Sequence, residues 1–70
     1  MAYEYVIKEK KDASESVRVM KELELKGFSP IAVQWKPETN TTVVYFDRPL
    51  KEEDKERLDK IMKSLGYMIL

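Results

Sequence analysis

The chain has no cysteine and no histidine. Without cysteine there is no disulfide to staple a small core and no thiolate for a soft metal, and a reducing compartment suits it. Without histidine the commonest general base, the side chain that titrates near neutrality and the usual ligand of zinc, copper and iron are missing together. Glycine occurs only twice, and no nucleotide-binding fingerprint is present. The 13 basic and 13 acidic residues cancel, which removes a long-range field toward phosphate backbones or anionic membranes. The apolar run around Met68 to Leu70 is far too short to span a bilayer, and the opening MAYEYVIKEKK lacks the apolar core of a signal peptide. A cytoplasmic protein without membrane segment, metal or cofactor is expected. Seventy residues make one domain, 1–70, near the size at which a single core only marginally outweighs chain entropy. Most of the charge is Lys and Glu, a balance common among hyperthermophile proteins.

What is present centres on Ile31 to Phe46, IAVQWKPETNTTVVYF, two alternating strands around a polar turn. A four-residue loop at Pro37 to Asn40 sets Lys36 opposite Thr41, Trp35 opposite Thr42, Val33 opposite Val44 and Ile31 opposite Phe46. Directly opposed residues share a face, so Ile31, Val33, Trp35, Val44 and Phe46 form the buried set. The other face carries Ala32, Gln34, Lys36, Thr41, Val43 and Tyr45.

Ahead of the hairpin, Tyr3 to Lys8 alternates and reads as a strand with its odd residues inward. Asp12 and Glu15 have the spacing of a capping box, and a helix is expected from there to about Lys26. Its apolar positions are Ala13, Val17, Met20 and Leu23, with Val19 and Leu25 widening the stripe, and Gly27 serves as C-cap. Beyond Pro49 a second helix is expected from about Lys51 to Leu65. Leu58, Ile61, Met62 and Leu65 form its stripe, Glu52, Glu53 and Asp54 lie at the positive end of its dipole, and Gly66 ends it. Tyr67 to Leu70 supply a short last strand. Gly27–Phe28 recurs as Gly66–Tyr67 at an offset that also carries Tyr5 and Ile7 onto Val44 and Phe46, whereas Val17 and Met20 fall on Glu56 and Asp59.

The order β, α, β, β, α, β resembles the ferredoxin-like fold, an α+β arrangement with a four-stranded antiparallel sheet in order 4132 and two helices on one face. Right-handed crossovers bring both helices to that one side. The fold hosts nucleic-acid readers, metal chaperones, ligand sensors, phosphatases and dimerisation modules, so the resemblance says little about activity.

The sheet face left open is expected to present Val6, Lys8, Gln34, Val43, Tyr45, Tyr67 and Ile69. Val6, Val43, Tyr45 and Ile69 would make an apolar band of the kind that marks an interface, although β-branched residues favour strands anywhere. A homodimer or a protein partner, reached through this face or an edge strand, is the leading expectation. Single-stranded nucleic acid is the alternative, but Tyr45 is the one ring in a suitable position and the signature of RNA-recognition motifs is missing. Small-ligand sensors of the ACT type share the fold and bind at a dimer interface near the loop after the first strand, which here lacks glycine. That connector also lacks the glycine-bordered anion loop of acylphosphatases, and the cysteine pair of the metal chaperones is absent. Ser14, Ser16 and Ser64 have no histidine to activate them, and Glu52 to Asp54 lack the spacing of a calcium loop. No enzymatic activity is expected.

Overall fold

Alternation and helical spacing place the elements almost where the chain folds them. The computed structural model describes residues 3–70. Strand β1 spans Tyr3–Lys8, helix α1 Ser16–Leu25, β2 Ala32–Lys36, β3 Thr41–Phe46, α2 Glu52–Ser64 and β4 Met68–Ile69. All strand pairs are antiparallel and the sheet order is β2-β3-β1-β4, which is the ferredoxin-like α+β fold. No helix of the described residues is long and apolar enough to cross a membrane.

The hairpin pairs Val33 with Val44, Trp35 with Thr42 and Lys36 with Thr41. Asn40 closes its turn at φ 51°, a left-handed conformation that asparagine tolerates better than most residues, and accepts a hydrogen bond from the Trp35 indole at 3.3 Å. Ile31 departs from the expected register. Its N–H donates to the Tyr45 carbonyl at 2.8 Å, yet Tyr45 is already the partner of Ala32. Two consecutive residues thus address one residue of β3, the alternation fails at Ile31, and its side chain is 59% exposed instead of buried.

The core consists of Tyr5, Ile7, Val19, Leu23 and Phe28 from the first half, and Val44, Phe46, Leu58, Met62 and Tyr67 from the second. Each member of the first group lies 39 positions before its counterpart in the second. The repeat therefore extends through the helices, contrary to the expectation drawn from Val17 and Met20. Val17 is exposed and Met20 only half-buried, so neither belongs to the set that repeats.

Both helices end alike. Gly27 and Gly66 adopt φ 88° and 90°. Phe28 N–H bonds to Leu23 O at 2.9 Å and Gly27 N–H to Glu24 O at 3.1 Å, matched by Tyr67 to Met62 at 3.0 Å and Gly66 to Lys63 at 3.0 Å. This is the Schellman arrangement, which folds the residue after the glycine back onto the last turn. It drives Phe28 and Tyr67 into the core.

Helix α1 begins at Ser16, later than the Asp12–Glu15 capping box predicts, and the side chain of its N-cap residue, Glu15, makes no capping hydrogen bond. The connector is held otherwise: Lys11 bridges Ala13, the Glu15 N–H donates to the Glu9 carboxylate at 3.3 Å, and the Ser16 N–H donates to Ser14 Oγ at 3.1 Å. Asp12 and Ala13 remain outside the helix and exposed.

Candidate interaction surfaces

Side chains alternate across the sheet, so the face away from the helices is given by the pairing. Val6 pairs with Val43, Lys8 with Thr41, and Gln34 with Val43, which groups Val6, Lys8, Gln34, Val43 and Tyr45 on the open face. Ile69 does not join them. It pairs with Ile7, a core residue, and packs against the core itself. Tyr67, two residues earlier, is likewise buried in the core. The residues that β4 turns to the open side are Met68, paired with Lys8, and Leu70, whose N–H donates to Val6 O at 3.1 Å. Both are 65% exposed. The C-cap at Gly66 was the available signal, because the residue after such a glycine packs on the preceding helical turn and thereby fixes the parity of the strand beyond it.

The open face is partly closed by its own side chains. Val43 is only 2% exposed although no helix covers it. It lies between Val6 and Gln34, and the Tyr45 hydroxyl donates to Gln34 Oε1 at 3.2 Å, a bridge that runs past Val43. Lys8 Nζ donates to Thr39 O at 2.7 Å, drawing its charge toward the hairpin turn. Of the expected apolar band, Val6 and Tyr45 are half-buried.

A second apolar surface lies on the helix side, beside the free edge of β2. Val17 is 70% and Leu25 78% exposed on α1. Val17, Met20, Lys21, Glu24 and Val33 line a shallow groove of about 300 Å³ between α1 and β2. A window of helical spacing cannot separate a wide core stripe from two stripes, and this is why Val17 and Leu25 read as core from the sequence.

One polar cluster is buried where β1 meets α1. Glu9 is 4% exposed. Its Oε1 accepts hydrogen bonds from the Thr42 hydroxyl and the Glu15 N–H, at the positive end of α1. Glu9 Oε2 and the Tyr67 hydroxyl are both buried without a hydrogen-bond partner. Burial pushes the Tyr67 hydroxyl up to about 12, helped by the Glu15 and Glu9 carboxylates and opposed by Arg18. Lys10 Nζ lies 5.0 Å from the Tyr67 ring centre. Tyr5 is held above the ordinary tyrosine range, first by burial and then by its hydrogen bond to Asp59 Oδ1 at 2.6 Å. Among the described residues no three His, Cys, Asp or Glu side chains converge.

Comparison of the chain with protein-family models, with curated proteins and with solved structures gave no match.

Proposed function

We propose that the protein is a non-enzymatic interaction module that pairs with a second copy of itself through the free edge of β2 and the adjoining face of α1. The observation that carries this reading is the exposure of Val17 and Leu25 on the face of α1 that adjoins an unpaired edge strand. Such a strand presents unpaired N–H and C=O groups to any chain that lies beside it, and β2 carries a charge only at Lys36.

The strip favours a second copy because its polar residues complement themselves. Antiparallel pairing of two β2 strands about Gln34 sets Val33 opposite Trp35 of the second copy on the helix side, both half-buried in the single chain. The two-fold axis then stands perpendicular to the sheet and keeps both α1 helices on one side, antiparallel. In that arrangement each copy brings both Lys21 and Glu24, which line the groove between α1 and β2, to the side of the seam. Closed two-fold pairing is the commonest form of self-association. The open sheet face offers less, since its central residue Val43 is already covered. Single-stranded nucleic acid would rely on Tyr45, whose hydroxyl is engaged by Gln34.

Sedimentation velocity from low micromolar to millimolar concentration tests the reading. The weight-average mass is expected to rise from one chain to two, and Val17→Asp and Leu25→Asp are expected to hold it at one without altering the circular dichroism spectrum. A mass that stays at one chain throughout rules the dimer out.

A further inference from the structure

Away from the β2 edge, α2 and the end of α1 frame a cleft of about 370 Å³ lined by Lys26, Arg57, Lys60, Ile61 and Ser64. Arg57, Lys60, Ile61 and Ser64 succeed one another at the spacing that shares a helix face, and Lys26 is the C-cap residue of α1. Three of these five residues are cations and none is an acid, in a chain whose acids and bases are equal in number. Among the described residues no carboxylate lies within ion-pair distance of any of the three, the ion pairs being Arg18–Glu15 and Arg48–Asp47.

Arg57 is anchored in a way that an ordinary surface arginine is not. Its guanidinium carbon sits 4.6 Å from the centre of the Phe28 ring, a core residue fixed by the Schellman bond, and its Nη2 donates to Lys26 O at 3.4 Å. The bond also occupies one of the carbonyls at the negative end of α1. A guanidinium has five N–H donors in a rigid fork, so most of Arg57's capacity is uncommitted. Ser64 spends its hydroxyl proton on Ile61 O at 2.7 Å, which leaves the cations as the side-chain donors of the cleft.

We propose that this cleft binds the phosphate group of a small organic phosphomonoester, with Arg57 as the orienting fork and Lys26 and Lys60 as flanking charges. A planar fork matches two phosphate oxygens at once, and the flanking ammonium groups balance the remaining charge. Half-buried Ile61 gives the carbon portion of the ligand an apolar wall. The cleft falls in the size range of small-molecule sites, and the binding needs neither the β2 edge nor a second copy.

An amide NMR titration of the whole chain with glycerol 3-phosphate, at constant ionic strength, tests the proposal. Saturable shifts are expected at Gly27, Lys60 and Ser64, with half-saturation on the order of 1 mM. Lys60 is exposed, so Lys60→Gln leaves the fold intact and is expected to weaken binding about tenfold, the loss of one flanking charge-assisted contact. Arg57→Lys, which keeps the charge and loses the fork, is expected to weaken it as well. Shifts that grow without saturating, or that spread evenly over the surface lysines, overturn the proposal, as does unchanged affinity in Lys60→Gln. Inorganic phosphate binding as tightly as glycerol 3-phosphate overturns the assignment of an organic ligand.

Discussion

Tyr5 and Tyr67 are both buried, yet one hydroxyl is satisfied and the other is not. Tyr5 donates to Asp59, so Tyr5→Phe loses a hydrogen bond to a charged group and is expected to cost about 2 kcal/mol. Tyr67→Phe removes a buried hydroxyl without a partner and is expected to raise stability by about 1 kcal/mol. Urea unfolding at neutral pH checks both, and a loss of stability in Tyr67→Phe counts against the unsatisfied hydroxyl. Alkaline pH acts on the same pair. The fold raises both hydroxyls above the ordinary tyrosine value, so above about pH 10 the unfolded chain releases these protons while the folded chain keeps them. Both groups therefore lower stability as the pH rises above 10, and Tyr67's part of that loss levels off as the pH passes its folded value of about 12. Unfolding measured across this range is expected to show a falling stability whose slope is shallower in Tyr67→Phe.

Helix ends separate what local sequence decides from what it does not. The two C-caps were legible because glycine alone adopts positive φ without strain, and each glycine is succeeded by an aromatic residue that the motif folds inward. The start of α1 was not. Asp12 and Glu15 have the right spacing, but the Glu15 N–H goes to Glu9 and the first helical N–H is taken by Ser14. Glu9 itself is positioned by the sheet, through its N–H to Asn40 O at 2.9 Å and the Thr42 hydroxyl. The competing acceptor therefore comes from β1 and β3, outside any local window. Ser14→Ala is expected to cost about 1 kcal/mol, the usual loss of a serine oxygen at a helix start. Asp12→Ala, at an exposed site outside the helix, is expected to stay within about 0.5 kcal/mol of the parent. Thermal unfolding of the two variants checks the order, and the reverse order would restore the capping box.

Over the whole molecule the core is built twice, each βαβ half supplying five residues at a constant separation of 39. The halves meet along β1 and β3 at the centre of the sheet, with β2 and β4 as its edges. The same relation makes the β4–β1 pair the counterpart of the β2–β3 hairpin, since Leu70 N–H already reaches Val6 O. A circular permutant that links Leu70 to the first strand through a short flexible linker and opens the turn between Glu38 and Thr39 is expected to fold to the same sheet order. Cross-strand backbone contacts in its NMR spectra check this, and absence of the β1–β3 contacts sinks it. Self-association belongs to this scale too, because the strip it would use is assembled from α1 and the edge of β2.

Alternation and glycine placement determined the element order, the hairpin register and the inward face of β1 and β3, because each of these is set by neighbours within a few residues. Only the tertiary structure decided the parity of β4, the exposure of Val17, Leu25 and Ile31, and the burial of Val43. The face that β4 presents depends on which residue of β1 it meets. Whether an apolar helical residue is covered depends on where the sheet ends beneath it, and a valine on an open face is buried when the side chains around it close over it.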